Sequence, residues 1–198
     1  GSATSSLSIV SSSNAAMTLP NINAGLLNLT LNKTGTTRTV ALGGALSVSG
    51  TLTLTSGALQ LGAFDLTQTN STAIAGAPFS NTNMVETNGT GSLIRSANVT
   101  NESFNLTYPV GSGVYYNPLI ISSLPAGAAA ARSFTIRAVP SNPGAFPNSI
   151  NKYWVISNTN ITTTGPNVLS FQYNAGEIVG NALVLQPVKN TSGSWAIA

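Results

Sequence analysis

Acid–base chemistry in this chain rests on four carboxylates, Asp65, Glu86, Glu102 and Glu177, because the sequence has no His and no Cys. Two carboxylates placed across a sugar bond can run glycoside hydrolysis. Only Glu86 and Glu102 lie close enough in sequence to share a neighbourhood on stacked strands. The competing reading makes each of the four a solitary solvated charge, and their dispersion favours it. Serine is plentiful, yet a serine nucleophile needs a base to take its proton. Lys33, Lys152 and Lys189 are the candidates for that base, and none stands in a recognisable motif. Calcium takes about 6–8 oxygen ligands, so four dispersed acids leave room only for a weak site of carbonyls and one carboxylate. Gly43-Gly44 and Gly111-Ser112-Gly113 lack the Lys-Ser/Thr ending and the following helix of a phosphate loop, and read as turns. No catalytic residue, metal site or cofactor site is expected.

Charged residues make up 6% of 198 positions, against about 25% in an average soluble domain. Ser, Thr, Asn and Gly must therefore wet the surface. A hydrophobic content of 42% supports a core and argues against disorder. The net charge is +3, but Lys33, Arg38, Arg95, Arg132, Arg137, Lys152 and Lys189 are scattered. Nucleic-acid binding needs a basic stripe that displaces counterions, and none is present. Zero Cys excludes disulfide scaffolds and thiolate metal sites. No apolar run approaches the ~20 residues of a membrane span. No signal-peptide pattern stands at the start, so a leader has been removed or lies outside this piece. Gly1-Ser2 reads either as a cloning scar or as part of a natural Ser-rich leader.

The elements that position these residues are strands. From Leu26 to Leu66 apolar residues alternate with small polar ones: Leu27, Leu29 and Leu31, then Val40 and Leu42, Leu46 and Val48, Leu52 and Leu54, Leu59 and Leu61, Phe64 and Leu66. Period two means a strand with one buried face. Pro is absent from Leu26 to Ala77, and Gly35, Gly43, Gly44, Gly50, Gly57 and Gly62 punctuate the pattern. Hairpin meanders show turns every ~8–12 residues; here the Leu pairs recur faster. Short strands with tight corners suit a parallel β-helix, whose inward Leu and Val form ladders along the axis. A small Greek-key sheet is the alternative. Met84, Val85, Leu93, Ile94 and Val99 continue the apolar pattern, and Asn88-Gly89-Thr90-Gly91 reads as a turn with positive backbone angles.

Composition changes near Phe104. Longer strands are expected at Phe104–Val110, Asn117–Ser122, Ser133–Val139, Lys152–Ser157, Asn167–Tyr173, Ala182–Pro187 and Ser194–Ala198, separated by Gly- and Pro-rich turns. About seven such strands read as an antiparallel β-sandwich. Ala128–Ala131 reads as a loop or single turn, and Tyr153, Trp154 and Trp195 as core anchors. The fold class is thus all-β, a short parallel β-helix (solenoid) over 1–103 followed by an antiparallel β-sandwich over 104–198.

Several runs carry a resemblance: Leu46-Ser47-Val48-Ser49-Gly50-Thr51-Leu52-Thr53-Leu54-Thr55-Ser56-Gly57, Val85 through Leu93, Tyr108-Pro109-Val110-Gly111-Ser112-Gly113 with Tyr116-Asn117-Pro118, Lys152-Tyr153-Trp154-Val155-Ile156, and Ser192-Gly193-Ser194-Trp195. In their order, the chain resembles the modules of large surface proteins that Bacteroidota export by the type IX system. The resemblance covers most of the chain from Leu26 onward. It implies a β-helical segment joined to a β-sandwich, used in adhesion or surface structure, and it carries over no catalytic residue. The Asn-x-Ser/Thr triplets at Asn28, Asn32, Asn70, Asn88, Asn98, Asn101, Asn105, Asn160 and Asn190 would mean glycans in a eukaryotic secreted protein and nothing in a bacterial one.

The expected role is that of a non-catalytic, extracellular structural or adhesive module of a cell-surface protein or fibre. Its partners would be other copies of itself or neighbouring modules, met through strand edges near Leu7–Val10 or Ser194–Ala198. The alternative is a glycan- or ice-binding module using Ser47, Ser49, Thr51, Thr53 and Thr55 on one solenoid face. A polysaccharide-acting β-helix enzyme ranks last.

Overall fold

The alternating leucines coil into stacked rungs instead of folding back in hairpins. In the computed structural model of the chain, residues 4–71, 74–96, 104–123, 132–142, 146–161, 168–191 and 194–197 are described, with the backbone alone at 104, 123, 191 and 194–197. The first rung carries β1 (Leu7–Ser11) and β2 (Met17–Leu19). The second carries β3 (Leu29–Lys33), β4 (Thr39–Leu42) and β5 (Leu46–Val48), and the third β6 (Leu52–Ser56), β7 (Ala58–Gln60) and β8 (Leu66–Gln68). The fourth carries β9 (Val85–Glu86) and β10 (Leu93–Ser96). Single bridges, Leu26 to Val48 and Thr53 to Ala75, complete the first and fourth rungs. The result is a parallel β-solenoid of about four turns.

Its faces are parallel sheets in strict rung order. One is β1-β3-β6; the second runs β2-β4-β7-β9, and the third β5-β8-β10. Register stacks like on like. Leu7 meets Leu29 and Leu52, and Ile9 meets Leu31 and Leu54. Leu46, Leu66 and Leu93 form a second ladder, and Val40, Leu59 and Val85 a third. Apart from half-buried Leu7 these side chains are buried, and they form one continuous core. Leu27 and Phe64 break the alternation: both sit at corners and are 38% exposed. A corner turns the chain through the angle between two faces, so the count of inward and outward positions restarts there.

Side-chain amides tie the corners. Asn28 Oδ1 accepts from Thr51 N at 2.7 Å while its Nδ2 donates to Ser6 Oγ at 3.0 Å, so one residue clamps three rungs. Asn70 Nδ2 donates to Ser49 O and Gly50 O, both at 2.8 Å. Asn14 accepts from Thr36 N, and Asn88 from Gly62 N. The Asn88-Gly89-Thr90-Gly91 corner differs from expectation. Asn88 and Gly89 do not take positive φ; a Cβ at Gly89 would lie 2.3 Å from Gly62 O and one at Gly91 2.0 Å from Phe64 O. Glycine is needed there because rungs approach closely, not for its left-handed freedom.

The second half is antiparallel: β11 (Phe104–Tyr108), β12 (Val110–Ser112), β13 (Tyr115–Tyr116), β14 (Leu119–Ser123), β15 (Ser133–Val139), β16 (Ser149–Ile150), β17 (Tyr153–Thr159), β18 (Val168–Phe171), β19 (Ile178–Val179), β20 (Val188–Thr191) and β21 (Ser194–Ile197). Among the described strands, pairing crosses residue 103 in two places. β12 adds in parallel to β9, and β15 adds antiparallel to β10, followed by β17. The β11-β14-β18 sheet is separate and meets β15 through Tyr108 Oη, which donates to Phe134 O at 3.3 Å; Leu106, Tyr108, Leu119 and Ile121 share the core cluster with Phe134, Ile136 and Ala138. Trp154 is the anchor expected, its ring centroid 4.8 Å from that of Phe171.

Three expectations shift. The strand expected over Phe104–Val110 divides at Pro109, which has no N–H for a ladder. Ala182–Val184, expected as strand, is a 3-10 turn because Asn181 Oδ1 accepts from Leu183 N at 3.0 Å and caps it. The short β13, β16, β19 and β20 lie where no strand was expected. Val99, Ala128–Ala131, Asn98, Asn101 and the side chain of Trp195 lie outside the described residues.

Leu54 lies in the centre of the solenoid and Thr55 beside it is exposed. Leu54→Ala is expected to lower stability by about 2–5 kcal/mol in urea unfolding, while Thr55→Ala stays within about 0.5 kcal/mol of wild type.

Candidate functional site

The five Ser and Thr residues of the expected binding face do not share one face. Ser47 belongs to β5, in a row with Thr67, Ile94, Thr135 and Ser157. Thr53 belongs to β6, in a row with Thr30 and Ser8 on another sheet. Ser49 and Thr51 flank the Gly50 corner between them, and Ser49 Oγ donates back to Leu26 O at 3.4 Å. Thr55 stands out of register, because Leu31 faces Leu54 while Asn32 faces Ser56.

The carboxylates are occupied by the chain itself. Asp65 Oδ1 accepts from Ser92 N at 2.8 Å. Glu86, 7% exposed, accepts from Gln60 Nε2 at 2.8 Å and from Gly113 N at 3.0 Å. Its expected companion Glu102 lies outside the described residues. Cations are used internally as well. Lys33, fully buried, donates through Nζ to Ser13 O at 2.6 Å and to Thr37 O, closing a solenoid corner. Arg95, equally buried, donates to Gln68 Oε1 at 2.9 Å and Thr107 O at 2.6 Å, with its guanidinium carbon 5.6 Å from the Tyr108 ring centroid. Burial pushes the Arg95 guanidinium down from its ordinary value, against the opposing pull of Tyr108. Arg95 thus plugs the junction between solenoid and antiparallel sheets.

No protein family, curated protein or solved structure matches this chain. Its chemistry must therefore be read from its own side chains. Among the described residues no three His, Cys, Asp or Glu gather, and no helix is long and apolar enough to cross a membrane.

One polar cluster stands apart because it joins two opposite charges inside the antiparallel half. The two-residue ladder β16–β19 is closed by Asn151 N–H donating to Glu177 O at 2.7 Å. It sets Lys152, just before β17, beside Glu177, at the end of the 3-10 turn Ala175–Glu177. Lys152 Nζ lies 3.0 Å from Glu177 Oε1, with both side chains at 2% exposure or less. The same ammonium donates to Ser112 Oγ at 2.5 Å. Glu177 Oε2 accepts from Asn117 Nδ2 at 2.5 Å and from Asn174 N and Nδ2 at 3.0 and 3.1 Å. Asn117 is held by its backbone as well, since its N–H donates to Val110 O and its carbonyl accepts from Trp154 Nε1. Burial alone raises a carboxyl; here the bonds from Asn174, Lys152 and Asn117 outweigh it and hold Glu177 below its ordinary value. Nearby, burial pushes the Tyr116 phenol up to about 12.

Sequence spacing gave no signal for this cluster. Lys152 reads as the start of a strand and Glu177 as a solvated charge, and four separate elements deliver the groups.

Removing one partner of a buried ion pair costs about 3–5 kcal/mol because the other is left unpaired. Lys152→Met and Glu177→Leu are each expected to destabilise on that scale in urea unfolding, and the double variant by clearly less than their sum.

Proposed function

We propose that this chain is a non-catalytic structural or adhesive module of an extracellular surface protein, acting beside copies of itself or neighbouring modules. Membership of the type IX-exported surface modules of Bacteroidota is part of that proposal. The observation that carries it is the destination of the ionisable groups. Asp65, Glu86 and Glu177 spend their oxygens on the chain's own donors, and Lys33, Arg95 and Lys152 are buried in internal bonds. What remains outward is a charge-poor surface of Ser, Thr and Asn with little self-repulsion.

The contact region favoured is the first rung. β1 and β2 end their sheets, each paired on one side only among the described strands. In a parallel ladder alternate residues direct their N–H and C=O to opposite sides. Leu7 N–H donates inward to Asn28 O, so Ser8 and Val10 present theirs outward. Val10 is 73% exposed. An uncovered edge of this kind templates another strand.

The full chain is expected to associate with rising concentration in analytical ultracentrifugation and to show end-to-end particles by electron microscopy. Val10→Lys, which places a charge on the open edge, is expected to weaken association at least about tenfold. A wild-type chain that stays monomeric throughout would contradict the self-association reading.

A further inference from the structure

The cluster at Lys152 brings together an amine, a carboxamide and a carboxylate away from water. Lys152 and Glu177 are 3% exposed and Asn117 is fully buried. One carboxylate holds both nitrogens, Lys152 Nζ on Oε1 and Asn117 Nδ2 on Oε2. Asn117 Oδ1 is buried without a hydrogen-bond partner, a costly state for a carbonyl. Its Nδ2 is held on Glu177 Oε2, so one carboxylate brings the carboxamide and the amine into the same buried site. We propose that Lys152 and Asn117 join through an intramolecular isopeptide bond, formed by the chain itself, with Glu177 as the proton carrier.

The steps balance. Lys152 Nζ passes one proton to Glu177 Oε1 across their contact, leaving a neutral amine and a neutral acid. The amine lone pair attacks Asn117 Cγ; the Nζ–Cγ bond forms and the carbonyl pair moves onto Oδ1. Nζ then loses a second proton, which reaches Nδ2. The oxyanion collapses, the Cγ–Nδ2 bond breaks, and ammonia leaves. It takes up the proton carried by Glu177 and departs as ammonium, restoring the carboxylate. No oxidant, reductant or cofactor enters.

The placement of the groups suits each step. Glu177 already touches both the proton source and the leaving nitrogen. Asn174 fixes the carboxylate through two further bonds, and Ser112 Oγ accepts from the amine. The product is a neutral amide in a site that otherwise carries a buried ion pair, whose desolvation costs several kcal/mol per ion. The link would tie the segment between β13 and β14 to the residue that precedes β17, a covalent brace across the antiparallel half.

The test is the intact mass of the full folded chain, followed by peptide mapping. The mass is expected to fall below the sequence value by one ammonia, about 17 Da, with a branched peptide joining Lys152 to Asn117. Glu177→Gln is expected to keep the full mass while retaining the wild-type circular dichroism. Should that variant fail to fold, Asn117→Asp serves: it should lose water instead, about 18 Da, with the same branch point. A wild-type chain of full sequence mass, with Lys152 and Asn117 recovered in separate peptides, overturns the proposal. So does an ammonia loss that maps to a succinimide at Asn88-Gly89. Failure here leaves the surface-module reading standing, since that reading is decided by assembly and not by mass.

Discussion

A single rung of this protein cannot bury its own leucines. Each turn is one strand thick, so Leu29, Leu52 and Leu66 are shielded only when rungs lie above and below them in register. In-register stacking is therefore the constraint on which the rest depends. The backbone satisfies its N–H and C=O groups rung to rung, and the side chains close the core in the same direction. Repeat architectures share this logic, with stability arising chiefly between neighbours. It also explains why the antiparallel half is attached as it is. β12 and β15 add to the end of the stack, and they cover what a fifth rung would have covered.

Stacking creates a polar problem at every corner, where the chain leaves a sheet and its amides lose their ladder partners. The chain solves it chiefly with the amides of asparagine. Asn14, Asn28, Asn70 and Asn88 each reach one rung away to a backbone group. Asp65 does the same for Ser92, and Lys33 caps two carbonyls from inside. A low charge content thus follows from use: few ionisable groups are left to the surface, and those inside are tied into the frame.

Much of this was legible in the residues. Period-two leucines with small corner residues identify strands, and their close spacing identifies a solenoid. Ser133–Val139 was expected residue for residue. Corners were less legible, because alternation resets wherever the chain turns; Leu27 and Phe64 kept the pattern in sequence and lost it in space. The same reset placed Ser47 and Thr53 on different faces. Ala182–Val184 shows local capping by Asn181 overriding an apolar run. The Lys152–Glu177–Asn117–Ser112 cluster had no sequence signature at all. Its members are brought together by tertiary pairing, above all by a two-residue ladder too short to announce itself.

Amide hydrogen exchange tests the stacking constraint most directly. The amides of Leu29, Leu54, Leu59, Leu66 and Val85 donate across rungs to Thr51, Ala75, Met84, Ser92 and Pro109. In-register stacking requires them to exchange slowly and as one class, while the outward amide of Val10 exchanges fast. Exchange of the rung-to-rung amides as rapid as that of Val10 would contradict a stacked solenoid.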